Sequence, residues 1–86
     1  MTPPTVAAPW SPSDAVASVC RRFDLKPAEL RGRSRDAWIG WARGLLAIEL
    51  REHGMSLERI GKVYLGGRDH SCVSYLIERA RVKEAT

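Results

Sequence analysis

The stretch Ser56-Leu57-Glu58-Arg59-Ile60-Gly61-Lys62-Val63-Tyr64-Leu65-Gly66-Gly67-Arg68-Asp69-His70-Ser71-Cys72-Val73 decides the fold. Ser56 can cap a helix, and Leu57, Ile60 and Val63 or Tyr64 recur at helical spacing along its inner side. Gly66-Gly67 stop it. Asp69 can cap a second, longer helix, in which Val73, Leu76, Ile77 and Ala80 make one apolar stripe at i, i+3, i+4, i+7. A short helix over 57–64, a glycine-containing turn and a second helix over 69–83 have helix-turn-helix proportions.

Upstream, the punctuation is also helical. Ser34 can cap a long segment in which Trp38, Ile39, Ala42, Leu45, Leu46, Ile48 and Leu50 lead to a stop at His53-Gly54. Gly40 and Gly44 weaken that helix unless something approaches its backbone closely there. Pro27-Ala28-Glu29-Leu30 forms a short helix stopped at Gly32. Before it, Ser11-Pro12-Ser13-Asp14 opens a first helix over roughly 12–23, with Val16, Val19, Cys20 and Phe23 at helical spacing. Residues 1–10 form a flexible proline-rich arm ahead of one domain over 11–86, since residues 1–9 hold three of the five prolines. No strand-like alternation and no repeat occurs. The chain reads as all-α, a small domain of about five helices.

Eighty-six residues are too few for two self-stabilising cores. Fourteen Lys and Arg against ten Asp and Glu leave a net charge of +4, and eleven of those cations are Arg. Arginine forks onto phosphate and guanine, so a polyanion partner is favoured. No apolar run is long enough for a membrane span, and no signal peptide is visible. Cys20 and Cys72 lack metal-ligand spacing and read as reduced thiols of a cytoplasmic protein, with a single disulfide as the alternative. Asp69, His70, Ser71 and Cys72 are neighbours on one helix and therefore point apart, which argues against a nucleophilic triad. HExxH, P-loop and GxGxxG motifs are missing. An enzyme is rejected, and no cofactor, metal or small-molecule substrate is expected.

The binding pattern is stronger. With the apolar stripe facing inward, the start of the last helix exposes Asp69, His70, Ser71 and Cys72, small or hydrogen-bonding groups that fit a groove and read base edges. Asp69 alone fits an ordinary helix cap equally well. Arg31, Arg33 and Arg35 alternate with Gly32 and Ser34, a flexible loop that can follow phosphates or enter a minor groove, or simply be solvated surface. Trp38 and Trp41, one turn apart among apolar neighbours, read as core and core edge rather than as a stacking platform for single strands.

Three motifs in order carry a family resemblance: Leu30-Arg31-Gly32-Arg33-Ser34-Arg35, Ser56-Leu57-Glu58-Arg59-Ile60-Gly61, and Gly66-Gly67-Arg68-Asp69-His70-Ser71-Cys72-Val73. From about Val19 to Val82 the chain resembles the C-terminal DNA-binding domain (domain IV) of the bacterial replication initiator DnaA, whose signature is close to Gly-Gly-Arg-Asp-His-Thr-Thr-Val. The resemblance implies a helix-turn-helix of the DnaA domain IV or Trp-repressor-like kind. It implies base contacts from Asp69, His70 and Ser71, with Cys72 beside them, and minor-groove insertion by Arg35. Phosphate-side positions are Arg43, Arg51, Leu57 through its backbone N–H, Arg68 and Arg79, to which the loop's Arg31 and Arg33 and the groove-flanking Tyr75 are added. Cys72 replaces a threonine, Tyr75 stands where histidine is common, and Gly44 where glutamine is common. The turn around Leu65 is one residue longer and the connection at His53–Ser56 one shorter.

The resulting expectation is a sequence-specific module for double-stranded DNA in a bacterial or phage-derived transcription regulator, cytoplasmic and nucleoid-associated. RNA polymerase or another regulatory protein is a further expected partner. Met1 lies only some ten residues ahead of the first helix, so the expectation includes a free-standing module or the start of a longer regulator, without the initiator's ATPase. The alternatives are a replication-origin-associated factor, or a protein-interaction adaptor that reuses the helix-turn-helix.

Overall fold

A computed structural model describes residues 10–34 and 36–85. Of the expected proline-rich arm over 1–10, residues 1–9 lie outside the described residues, as does Arg35. Trp10 corrects the expectation, since it packs on the domain with its indole N–H on Glu49 Oε2 at 2.8 Å and its ring stacked on His53. Among the described residues are five helices and no strand: α1 (Pro12–Phe23), α2 (Pro27–Arg31), α3 (Ala37–Glu52), α4 (Leu57–Arg59) and α5 (His70–Ala85). The fourth does not end at Arg59 but runs on as a single π turn over Ile60–Tyr64.

Local chemistry sets each start. The Ser11 N–H donates to Asp14 Oδ2 at 3.0 Å and the Lys26 N–H to Glu29 Oε1 at 2.8 Å. In both helices an acid three residues on thus satisfies a donor at the helix mouth, and proline fills the first helical position. The cap of α3 is Asp36, which accepts the Trp38 N–H at 2.9 Å. Ser34, expected in that role, instead accepts the Asp36 N–H at 3.2 Å and so orders the approach to the cap. A carboxylate two residues closer to the first turn is the better-placed acceptor. Ser56 Oγ takes the Arg59 N–H at 3.2 Å, and Asp69 Oδ1 takes the Cys72 N–H at 2.9 Å.

Helix α3 is the hub. It packs α5 on one side and α1 on the other. Ala42, Leu46, Ala47 and Leu50 meet Ala15, Val19 and Phe23 of α1, Leu30 of α2, Ile60, Leu65, and Val73 and Ile77 of α5 in one core cluster. The inward stripe of α5 is as its spacing predicts, with Leu76 only partly buried. Gly44 lets α3 and α5 touch: a Cβ there would lie 2.3 Å from the Leu76 carbonyl oxygen. Gly40 meets nothing within 4 Å.

Trp38 departs from the core reading, whereas Trp41 lies at the core edge as expected. Trp38 is 49% exposed, with its indole N–H on the Phe23 carbonyl at 3.1 Å. Trp41 is partly buried and donates to Glu84 Oε2 at 3.1 Å. Their rings stand perpendicular, 89° apart with centroids at 5.8 Å, an edge-to-face pair rather than a flat platform. Cys20 and Cys72 are both free thiols.

Candidate nucleic-acid interface

Two segments distant in sequence are held together. Gly66 has φ +71°, and a Cβ on it would fall 2.2 Å from the Arg31 carbonyl oxygen. Only glycine suits that backbone and that proximity. The turn therefore lies against the backbone of the arginine loop. Arg68 adds a bridge: its Nη2 donates to the Gly32 carbonyl at 2.9 Å, while Nη1 donates to the Leu65 carbonyl.

Arg43 holds the loop from below. It is 3% exposed, and its guanidinium donates to four carbonyls: Nε to Leu30 at 2.9 Å, Nη1 to Ser34 at 2.8 Å, and Nη2 to Glu29 at 3.0 Å and Gly32 at 2.9 Å. Glu29 and Leu30 belong to the last turn of α2, where carbonyls run short of helical partners, Glu29 O taking from the backbone only the Gly32 N–H at 3.3 Å; a cation there also complements the helix dipole. Burial, then the charge of Arg68, pull the Arg43 pKa below the ordinary arginine value, with Cys72 acting the other way. It remains charged, because arginine does not give up its proton in proteins. This corrects the sequence expectation that Arg43 faces phosphate. The side chain is spent inside the protein, a role that only the tertiary position of α2 and its loop reveals.

Between this loop, the start of α3, the turn and α5 runs one groove. Of the expected residues, Arg31, Arg33, Arg68, Cys72, Tyr75 and Arg79 line it, with Arg43 at its floor. Asp69, His70 and Ser71 are exposed on the first turn of α5 beside Cys72. Arg51 and Leu57 lie elsewhere, at the α3–α4 corner, Arg51 exposed and Leu57 partly buried. The sequence reading missed Lys83, Trp41 and Asp36, which also line the groove. Tyr75, Arg79 and Lys83 recur at i, i+4, i+8, a spacing that would have exposed the last of them. Among the described residues around the groove the basic side chains outnumber the single acid, Asp36. Such a wall focuses positive potential, which draws in a polyanion.

An all-helical domain whose short fourth helix, glycine turn and long fifth helix present a basic groove is a helix-turn-helix module. The family model for the bacterial dnaA protein helix-turn-helix matches residues 12–80. The chain belongs to that family, and it is a module of the family's DNA-binding type. It is 34% identical over 85 residues to the chromosomal replication initiator protein DnaA of Microcystis aeruginosa, covering 98% of this chain and 19% of that protein. To the protein of the same name from Nostoc punctiforme it is 35% identical over 80 residues, 92% of this chain and 17% of the relative. To that of Thermus thermophilus it is 37% identical over 71 residues, 81% and 16% respectively. The chain thus spans less than a fifth of the length of these relatives. No solved structure matches it.

Proposed function

We propose that the chain is a sequence-specific reader of double-stranded DNA. The observation that carries the reading is the docking of Gly66 on Arg31, reinforced by Arg68 on Gly32, which holds the arginine loop and the first turn of α5 on one surface. The α5 start enters a major groove with Asp69, His70, Ser71 and Cys72 at base edges. Arg35 enters the adjacent minor groove. Arg31, Arg33, Tyr75 and Arg79 follow phosphates, as do Arg51 and the Leu57 N–H at the far corner.

The relatives are named as chromosomal replication initiators, which puts replication-origin DNA first among the places to look. The promoter role and the RNA polymerase contact expected from the sequence draw no support from those names. Genome-wide mapping of bound fragments distinguishes origin from promoter sites. In solution, unbiased selection should enrich one short motif. Its affinity should fall with salt at roughly −0.9 logarithmic units per phosphate neutralised. A bound protein partner, with no motif enriched and no salt slope, would replace this reading with the interaction adaptor.

A further inference from the structure

The Arg43 guanidinium binds four carbonyls of residues 29–34, and one of these, Gly32, also accepts Arg68 from the segment that leads into α5. Five N–H groups in a flat fork suit such a ring of acceptors, whereas a lysine ammonium carries three donors on a point charge. We propose that Arg43 and Arg68 form a clamp that sets the reach between the arginine loop and the reading end of α5, so that both are positioning residues for specificity rather than phosphate contacts. The proposal rests on the DNA-reading function above and goes beyond it by naming what fixes the two reading elements relative to each other.

The physical case is one of pre-organisation. A loop of arginines alternating with glycine and serine and held by nothing would be ordered only on binding, and that ordering would weaken the complex. Here the carbonyls of residues 29–34 are already held in the free protein. The clamp acts through backbone carbonyls, so it leaves the side chains of Arg31 and Arg33 free to reach outward. It also ties the backbone of residues 29–34 to the segment that leads into α5, so that the loop contacts of Arg31 and Arg33 and the base contacts of α5 share one ruler. A site in which the two contacts are differently spaced is then penalised, even when every base matches.

The test uses the full chain with Arg43→Lys and Arg68→Lys, both of which keep the charge. Without DNA, backbone amide relaxation should show residues 31–34 loosening in each variant, while α1, α3 and α5 keep wild-type order and the helical signal is unchanged. With the selected duplex, affinity should fall roughly tenfold, as for loss of a charged hydrogen bond, while the salt slope stays at the wild-type value. A duplex with one base pair inserted between the loop's and the helix's contact positions should then be rejected less strongly than by wild type. Wild-type order at residues 31–34 in the Lys variants, or wild-type affinity and spacing preference, would overturn the clamp and return these residues to the role of simple cations. Arg68→Lys lies at a half-buried site and tests the same bridge if Arg43→Lys does not fold. Because the relaxation measurement needs no DNA, failure of the clamp is distinguishable from failure of the DNA-reading function.

Discussion

Gly44 of α3 and Leu76 of α5 are in backbone contact: a Cβ on Gly44 would sit 2.3 Å from the Leu76 carbonyl oxygen and 2.6 Å from Ala80 Cβ. The two longest helices meet there with only the Ala80 methyl between them. Gly44→Ala should cost about 1–3 kcal/mol, as for overpacking a core. Gly40→Ala, one turn earlier with nothing within 4 Å, should instead add roughly 0.5–1 kcal/mol through helix propensity. Chemical denaturation of both variants checks the opposite signs.

The turn offers a similar pair. Gly67 has φ +89° and open space, so Gly67→Ala should cost only the left-handed strain of ~1–2 kcal/mol. Gly66→Ala carries that strain and also pushes against the Arg31 carbonyl, so it should destabilise further and weaken DNA binding beyond the Gly67 variant. Thermal melts and duplex titrations of the two read the difference.

Asp69 caps α5 in the free protein through the Cys72 N–H. Asp69→Ala should therefore lose ~1 kcal/mol of stability, which Asp69→Asn retains because Asn caps equally well. If the carboxylate also accepts from a cytosine amino group, both variants should lose about 1–3 kcal/mol of discrimination at one base position. His70→Ala should lose discrimination with little change in salt slope, since a neutral imidazole neutralises no phosphate. Titrations against single-base duplex variants at two salt concentrations report all three. Full discrimination in every variant would remove α5 as the base reader.

Cys20 is buried in the α1 face of the core, where burial, and then the charge of Glu29, push its thiol pKa up. The folded state thus favours the neutral thiol more than the unfolded chain does. Its contribution to stability is full below the ordinary cysteine value of about 8.5 and is lost as pH rises through the higher folded value. Denaturation midpoints of wild type should fall more steeply above that pH than those of Cys20→Ala. In the native protein an alkylating reagent should modify the partly exposed Cys72 before Cys20.

Much of this molecule is legible in its sequence because its signals are local. Ser11, Pro12 and Asp14 announce α1, Gly66-Gly67 end the fourth segment, and the Val73–Ala80 stripe orients α5 without reference to anything else. The same orientation exposes the first turn of α5. What escaped depends on partners from elsewhere in the chain. Arg43 looks like any surface cation until the carbonyls at the end of α2 and its loop are placed beside it. Trp38 finds its partner in the Phe23 carbonyl at the end of α1, which leaves half the ring in solvent. Asp36 displaced Ser34 as a cap by a margin of two residues, which a propensity pattern does not resolve. Gly44 was legible only as a condition, and α5 supplied the close approach that fulfils it.

The π turn over Ile60–Tyr64 bears on how this fold tolerates changes in chain length. Hydrogen bonding from i to i+5 gives a π turn one residue more than an α turn would hold. Both Gly67 and Arg68 N–H groups close onto the Gly61 carbonyl, at 2.9 and 3.1 Å, so the exit towards α5 is pinned while Lys62 and Val63 stand in solvent. The surplus is stored as slack on the outer side of the turn. Removing one of these two outer residues, Lys62 or Val63, should convert the π turn into an α turn while the exit towards α5 stays where it is.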